Sequence, residues 1–226
     1  MLKLISINKG FGIPGEENYR QVLKDLEFTL EDTESVAIVG PSGSGKTTLL
    51  NITGTLDHPD TGEVLFRERD LGKLTRKEKD HFRNREIGFV FQFHHLLPQC
   101  SLLENVLLPA MVTGDRKLMD QTMSYAEKLL KKTGIWDHRD KLPGKMSGGE
   151  CQRAAVVRAM INKPSLLLAD EPTGALDAEN AEMIADLLLS MKKEEGTALL
   201  VVTHSIELAS KMDRILKLEN GHLSRN

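Results

Sequence analysis

The fold is indicated first by residues 35–48, which read Ser35-Val-Ala-Ile-Val-Gly-Pro-Ser-Gly-Ser-Gly-Lys-Thr-Thr48. The first five residues are mostly apolar and β-prone, and a glycine stops the run, as is typical of a buried strand. The apolar segment from Leu49 to Leu56 predicts a helix that ends before Pro59. Between strand and helix lies the pattern G-x-x-x-x-G-K-[ST], in the context that a phosphate-binding loop requires.

This loop has the chemistry to bind the phosphates of a nucleotide. Glycines let backbone N–H groups turn toward phosphate oxygens, and the following helix adds the positive end of its dipole. Lys46 supplies a positive charge for the β- and γ-phosphates, and the Thr47 hydroxyl can ligate Mg²⁺. The alternative, a glycine turn that happens to precede a lysine, is disfavoured by the flanking strand and helix. The predicted nucleotide-binding residues are Gly40, Pro41, Ser42, Gly43, Ser44, Gly45, Lys46, Thr47 and Thr48.

The composition of the 226-residue chain is typical of a globular protein, with 40% hydrophobic and 28% charged residues. Thirty Lys and Arg against 33 Asp and Glu give a net charge of −3, so no basic excess indicates a nucleic-acid partner. The apolar runs are far shorter than the roughly 20 residues that span a bilayer. Two cysteines, Cys100 and Cys151, fit a reducing compartment. We therefore expect a cytosolic chain that reaches a membrane only through a partner.

Strands and helices alternate along the rest of the chain, which predicts an α/β fold with a mostly parallel sheet covered on both faces. Further buried strands are predicted at 87–91, 165–170 and 198–203. Short apolar stretches before residue 33 predict an N-terminal antiparallel β part. An amphipathic helix is predicted to follow the second of these strands and to end at Gly196.

The middle of the chain reads as helical. We interpret 93–162 as a helical subdomain inserted into a nucleotide-binding core that consists of 1–92 and 163–226, the whole forming one domain. Within the insertion, four apolar residues recur at helical spacing and are predicted to face the core: Met119, Met123, Ala126 and Leu130.

Two acidic residues end one of the predicted strands. Asp170 and Glu171 follow the apolar run Leu166–Ala169 at the carboxyl edge of the sheet, where ligands of α/β folds bind. Adjacent carboxylates repel each other unless they share a cation, so Asp170 is predicted to hold Mg²⁺ and Glu171 to polarise the attacking water. The alternative is a pair of acids that merely caps a strand. The chain's Asn-Lys pair at 162–163 is followed by Pro-Ser, so it lacks the aspartate of a guanine-reading motif.

A second anion-binding helix start is predicted at Ser147-Gly148-Gly149-Glu150. Ser147 at the N-cap and Glu150 three residues later form a capping box. Two glycines in a first turn weaken a helix unless something must approach its backbone closely. Because the chain already has one phosphate loop, a second anion-binding helix end indicates action on the nucleotide of another copy.

Four separated motifs together resemble those of the ATP-binding subunits of ABC transporters. They are the loop at 40–47, the segment 146–153 (Met-Ser-Gly-Gly-Glu-Cys-Gln-Arg), the segment 166–177, and the pair Thr203-His204. The resemblance covers the whole chain in the family's motif order. It implies a P-loop NTPase (RecA-like) core, hydrolysis of ATP with Mg²⁺, and a homodimer that sandwiches ATP between its two copies.

The resemblance also implies a role for each matching residue. Gln92 is expected to sense Mg²⁺ and the lytic water, and His204 to contact the γ-phosphate. Residues 147–150 are expected to close over the γ-phosphate bound by the other copy, with Asp177 beside them. Catalysis is thus assigned to Glu171, His204 and Gln92, and the magnesium ligands are predicted to be Thr47, Gln92 and Asp170.

Two further predictions concern the aromatic residue that stacks on adenine and the thiol of Cys151. Phe11 stands where the family often has the aromatic residue that stacks on adenine, and Tyr19 is the alternative. We call residues 147–150 the signature. Cys151 follows the signature, at a position where Gln or Arg is commoner in the family. At a helix start its thiol is expected to have a lowered pKa, so that alkylation would slow ATP turnover.

Within the family, residues 91–106 resemble the ATPases of lipoprotein-releasing systems, with MacB-type exporters and FtsE-type cell-division complexes as alternatives. This implies separate integral membrane permease subunits, expected to dock near Gln92–Asn105, and a place on the cytoplasmic side of a bacterial inner membrane. Soluble DNA-repair ATPases share the motif set but insert long coiled-coil arms between the motifs. No sustained heptads lie between Gln92 and Ser147, so that class is disfavoured.

Overall fold

The computed structural model describes residues 1–13, 15–112 and 116–225, with the backbone alone at 116–118. The chain divides into two compact units, one formed by Met1–Arg83 with Ala198–Asn226 and the other by Asn84–Thr197. The predicted insertion at 93–162 falls inside the second unit, and its boundaries stay a prediction.

Ten strands and seven α-helices are assigned within the described ranges. The strands are β1 (Leu2–Phe11), β2 (Arg20–Leu30), β3 (Ser35–Val39), β4 (Thr61–Phe66), β5 (Arg69–Asp70), β6 (Ile87–Phe91), β7 (Leu166–Asp170), β8 (Ala198–Val202), β9 (Arg214–Glu219) and β10 (His222–Arg225). The helices are α1 (Lys46–Thr53), α2 (Arg76–Glu86), α3 (Leu102–Met111), α4 (Arg116–Lys132), α5 (Gly148–Met160), α6 (Ala178–Glu195) and α7 (Ile206–Ser210).

The first unit contains two groups of paired strands. One sheet is antiparallel, in the order β2-β1-β4-β5, which confirms the predicted antiparallel β part. The other group has the order β10-β9-β3-β8, in which β9, β3 and β8 run parallel. Ile38 on β3 pairs with Val202 on β8, so both strands end at the same edge. The loop that begins at Gly40 and the turn after β8 therefore lie at one edge of this sheet.

The second unit contains the parallel pair β6 and β7 together with helices. Phe91 pairs with Asp170 at the carboxyl ends of the two strands. Helix α5 packs against β6, α3 and α6. The approach to β6 is close, because a Cβ atom on Gly88 would lie 2.4 Å from the carbonyl oxygen of Ala159. Only a glycine on the strand lets the backbone of α5 come this near.

The predicted buried strands are the core of both units. All residues of β8, and Leu166–Ala169 of β7, have no solvent-exposed surface. Such continuous apolar runs are typical of parallel strands covered on both faces, and each fully buried Leu or Val contributes about 1.5–3 kcal/mol. Helix α6 buries Ile184, Leu188 and Met191 on one side and ends at Gly196, as its sequence pattern predicts.

Helix α4 buries two of the four residues predicted to face the core, Ala126 and Leu130, neither of which has exposed surface. Met123 is 38% exposed, so its assignment to the core is wrong. Thr122 and Leu129 of this helix are also buried, and so is Thr133 just beyond its end. Because two threonines extend this buried surface, a count of apolar residues alone outlines it incompletely.

No helix in the described part of the chain is long and apolar enough to cross a membrane.

The carboxylate of Asp213, the residue just before β9, holds the start of β3, the strand that leads into the phosphate loop. Oδ2 of Asp213 accepts hydrogen bonds from the backbone N and the hydroxyl of Ser35 at 2.8 and 2.7 Å, and Ser35 is 1% exposed. The backbone N of Asp213 donates in return to Ser35 Oγ at 3.1 Å. This reciprocal contact sets where β3 begins relative to β9.

We expect Asp213→Ala to lower the free energy of unfolding by about 2 kcal/mol or more, because it leaves two buried donors of Ser35 without a charged acceptor. Asp213→Asn should lose less, since its carbonyl can still accept one bond. The measurement is urea unfolding followed by circular dichroism. Asp32→Ala, which removes an exposed carboxylate of the turn before β3, is the control, and an equal loss there would contradict the assignment.

Candidate active site

The loop at 40–45 has the backbone geometry of a phosphate cradle. Gly43 and Gly45 have φ values of 74° and 103°, in the left-handed region that side chains disfavour. The hydroxyl of Ser44 is buried and has no hydrogen-bond partner among the described residues. An unpaired buried hydroxyl inside a glycine loop fits an anionic oxygen, which would accept its hydrogen bond.

Lys46 lies across this loop. Its side chain is largely buried, and Nζ donates to the carbonyl oxygens of Gly40 at 2.8 Å and Pro41 at 3.2 Å. These neutral acceptors leave the positive charge of the ammonium uncompensated by a carboxylate. A phosphate that enters the loop would provide that compensation, which agrees with the predicted role of Lys46.

A cavity of about 260 Å³ adjoins the loop. Arg20 lines it and donates to the carbonyl oxygen of Gly43 at 2.8 Å, so its guanidinium also braces the loop from outside. Lys24 and the turn at 219–221 form other parts of the wall. Arg20 and Lys24 bring positive charge to this wall, and Glu219 adds a carboxylate.

Phe11 and Tyr19, the two aromatic residues considered for stacking on adenine, have different surroundings. Phe11 ends β1, is 49% exposed, and pairs in register with Arg20 at the cavity. The ring of Tyr19 instead packs on Gly10, where a Cβ atom would lie 2.4 Å from its hydroxyl oxygen. The exposed ring of Phe11 therefore offers the freer stacking surface, and its role stays a prediction.

In the first unit, His204 lies at the same sheet edge as the phosphate loop. The backbone N of Thr203 donates to the carbonyl oxygen of Ile38 at 3.1 Å, which continues the β3–β8 pairing to the end of both strands. His204 is the next residue, and it is exposed in the turn before α7. Its predicted contact with a γ-phosphate is compatible with this place.

Gln92 and Glu171 are brought together in the second unit. They directly follow Phe91 and Asp170, which pair across β6 and β7. Glu171 has a φ of 46° and turns the chain sharply, and its carbonyl oxygen accepts from the backbone N of Gly174 at 3.0 Å. The Gln92 amide lies against this turn, because a Cβ atom on Gly174 would be 3.1 Å from its Nε2. The predicted sensor, Gln92, thus lies beside the backbone turn that begins at Glu171.

The predicted capping box at the start of α5 is confirmed. Ser147 Oγ accepts from the backbone N of Glu150 at 3.3 Å, and Glu150 Oε2 accepts from the backbone N of Ser147 at 2.7 Å. This backbone hydrogen bond lowers the pKa of Glu150. Nδ1 of His138 lies 2.8 Å from the other oxygen of Glu150, a contact that the sequence analysis missed. The box keeps the Ser147 side chain in place at the exposed helix end.

The two signature glycines differ in their surroundings. A Cβ atom on Gly149 would lie 2.2 Å from Oδ1 of Asn180 on α6, whereas one on Gly148 would meet nothing within 4 Å. The Asn180 amide nitrogen also lies 3.0 Å from both carboxylate oxygens of Asp177, the N-cap of α6. Asn180, which the sequence analysis missed, therefore joins the signature to Asp177. Packing within the chain explains why position 149 needs a glycine. Nothing within the described part of the chain explains why position 148 is a glycine.

The expectation for Cys151 is wrong. Its side chain is 2% exposed, and burial, together with the neighbouring charge of Glu150, raises the pKa of the thiol. Sγ lies 3.6 Å from the carbonyl oxygen of Pro143. A thiol in the first turn of a helix gains little from the helix dipole when it is removed from water.

The comparison with known families is consistent with this geometry. Residues 23–174 match the family model described as "ABC transporter". The chain belongs to the ABC transporter family. It is accordingly an ABC-type ATPase with the P-loop fold that its motifs imply.

Similar proteins cover this ABC ATPase almost completely. The Lipoprotein-releasing system ATP-binding protein LolD of Syntrophus aciditrophicus is 45% identical over 99% of this chain and 98% of that protein. LolD of Shewanella denitrificans is 47% identical over 91% of this chain and 88% of that protein. Among solved structures, a dimeric bacterial ABC transporter cassette superposes with a TM-score of 0.88 at 37% identity, covering 100% of this chain and 97% of that one. A dimeric post-hydrolysis cassette bound to ADP and Pi gives 0.87 at 36% identity over the same shares.

We expect iodoacetamide to modify the partly exposed Cys100 at least about tenfold faster than Cys151 in the folded protein, because thiolate formation and access both limit the buried thiol. Peptide mass spectrometry over time measures both rates. Treated Cys100→Ala protein should keep its ATP turnover. Equal reaction rates at the two cysteines, without unfolding, would contradict this prediction and support a reactive thiol at Cys151.

Proposed function

We propose that this chain is the ATP-hydrolysing subunit of a bacterial lipoprotein-releasing transporter, acting with separate integral membrane subunits. The observation that carries the proposal is the 45% identity to LolD of Syntrophus aciditrophicus along 99% of the chain. Further LolD proteins at 43–47% identity support it. The chain itself would sit on the cytoplasmic side of the inner membrane.

The nucleotide site is proposed to be formed by the residues that the four motifs supply. The loop at 40–48 would bind the phosphates of ATP, with Phe11 against adenine and Tyr19 as the alternative. Thr47, Asp170 and Gln92 would hold Mg²⁺, which when bound neutralises charge on the phosphate oxygens. Thr47 offers a hydroxyl and Asp170 a carboxylate, the oxygen donors that this hard cation prefers.

Hydrolysis is proposed to use water and three polar side chains. Glu171 would orient and polarise the attacking water, while His204 would contact the γ-phosphate. Gln92 stands beside the turn that carries Glu171, so it can sense the same water. Most of the catalytic effect in such a site comes from positioning and from charge stabilisation, because the phosphoryl group needs little covalent help.

The signature is proposed to act on the ATP of a second copy. Ser147 and Gly148 are exposed at a helix start, and Gly148 has open space where its Cβ would be. A free helix N-terminus with a hydroxyl is a suitable partner for a γ-phosphate. The related cassettes at TM-scores of 0.87 and 0.88 are described as dimeric, which supports a head-to-tail homodimer.

The surface after Gln92 is proposed to dock the membrane subunits. Phe93 is 66% exposed and Leu97 39% exposed, so both present apolar surface close to the catalytic glutamine in sequence. Asn105, at the far end of the predicted docking segment, is fully buried. Its side chain bonds to the backbone of Leu97, Cys100 and Ser101 and gives the segment a fixed shape.

We expect Glu171→Gln to bind ATP, lose at least about a hundredfold in turnover, and accumulate as an ATP-bound dimer, because the amide cannot polarise water. Size-exclusion chromatography and phosphate release measure these effects. In cells that depend on the variant, lipoproteins should stay in the inner-membrane fraction. Glu127→Gln, a surface change on α4, is the control.

The two readouts of this experiment separate two claims. Normal turnover in Glu171→Gln would refute the catalytic role of the glutamate. Lost turnover together with normal lipoprotein sorting would refute the cargo assignment and leave the ATPase mechanism intact.

Gly148→Ala tests the proposed action on a second copy. Its Cβ meets no atom within 4 Å in the chain itself, so the variant should fold with unchanged stability yet lose ATP-dependent dimerisation and most turnover. Gly144→Ala is the matched control, since its Cβ also meets nothing within 4 Å. Thermal melting and sedimentation with ATP measure both properties. Full activity of Gly148→Ala would contradict the proposal that this helix start binds the nucleotide of a second copy.

A further inference from the structure

We propose that Gln152 is a positioning residue that holds Gln92 and Glu171 at a fixed separation. This inference rests on the roles proposed for those two residues. Gln152 lies in α5, is 2% exposed, and has no direct place in the predicted site. Its Nε2 donates to the carbonyl oxygens of Phe91 and Pro172, each at 2.8 Å.

The two acceptors flank the predicted catalytic residues. Phe91 immediately precedes Gln92, and Pro172 immediately follows Glu171. An amide nitrogen has two N–H bonds in one rigid plane, so a single side chain satisfies both carbonyls at a set angle. The β6–β7 pairing fixes the strand ends, but the chain leaves the strand at Gln92 and Glu171. Gln152 continues the connection beyond that point.

The same helix grips the chain on the other side of Gln92. Arg158, also on α5, donates to the carbonyl oxygens of His94 and His95, both at 2.7 Å. Burial lowers the pKa of this guanidinium, which stays charged because an arginine loses its proton only at strongly basic pH. The backbone on both sides of Gln92 is therefore bonded to α5, whose first turn follows Ser147. Any shift of the signature helix moves the carbonyl groups that flank Gln92.

Loss of the Gln152 donors should impair hydrolysis more than ATP binding. Gln152→Met keeps the length and volume of the side chain but removes the donor that Gln152 offers to the carbonyls of Phe91 and Pro172. Small displacements of a positioned catalytic group cost about tenfold to a hundredfold in rate. We expect kcat to fall by about that factor, with KM for ATP changed by no more than about twofold.

Gln152→Glu supplies a readout that a purely structural role does not predict. An ionised carboxylate is an acceptor only and faces two carbonyl oxygens, whereas a protonated carboxyl donates one hydrogen bond. Repulsion by these oxygens and burial both favour the protonated form, which raises the pKa of the introduced group. Relative to the unaltered chain, kcat of this variant should therefore recover as the pH falls.

Thr133→Val is the matched structural control. Thr133 is buried in the same unit, and its single hydroxyl proton is shared between the carbonyl oxygens of Leu129 and Leu130, at 3.0 and 3.1 Å. The control removes a buried hydroxyl away from the catalytic residues, and its two acceptors keep the backbone donors of Thr133 and Ile135. Melting curves of all variants with Mg·ATP establish the folded fraction, and steady-state phosphate release gives kcat and KM.

The outcomes separate this inference from the proposed function. A kcat loss in both Gln152 variants beyond that of Thr133→Val, with partial recovery of Gln152→Glu at low pH, supports the positioning role. If Glu171→Gln is inactive while both Gln152 variants turn over normally, or if they change only KM, the role of Gln152 is wrong and the proposed function stands. Full activity of Glu171→Gln would instead overturn the catalytic assignment on which both rest.

Discussion

When two strands pair in parallel, their carboxyl ends fall at one edge, and the residues that follow become neighbours however far apart they lie in sequence. The pairing of Ile38 with Val202 brings the phosphate loop and His204 to one edge of the first unit. The pairing of Phe91 with Asp170 does the same for Gln92 and Glu171 in the second. Because a shift of one residue would turn every side chain to the opposite face, the buried apolar strands also fix which polar residues reach the edge.

Beyond the strand ends, the geometry depends on side chains that bond to backbone. The carboxylate of Glu150 holds the N-terminus of α5, Asn180 contacts Asp177 and excludes a side chain at Gly149, and Gln152 connects two loops. The first two contacts fix the starts of α5 and α6, and the third joins α5 to the chain that follows β6 and β7. Buried donors with two backbone acceptors are costly to leave unpaired, so they fix the loops strongly.

Much of this arrangement is readable from the sequence because it depends on local patterns. Glycine spacing predicts the phosphate loop, apolar runs predict the buried strands, and Ser147 with Glu150 predicts the capping box. The errors at Met123 and Cys151 have a common cause: local periodicity and helix position do not tell which face a neighbouring element covers. His138, Asn180 and Gln152 were missed because their contacts with Glu150, Gly149 and Phe91 join positions 12 to 61 residues apart, and no sequence spacing identifies such contacts.

The loop after Gln92 combines a fixed backbone with side chains that remain available. Arg158 holds the carbonyl groups of His94 and His95, yet Phe93 directs most of its ring surface to solvent. Burying such a ring against a partner helix would contribute up to about 3 kcal/mol, enough to bias a closing motion but not to lock it. Under the proposed function, a membrane subunit that binds Phe93 would pull on the same backbone that α5 positions. Docking and hydrolysis would then be coupled through hydrogen bonds to carbonyl groups, which persist whatever side chains the docking surface carries.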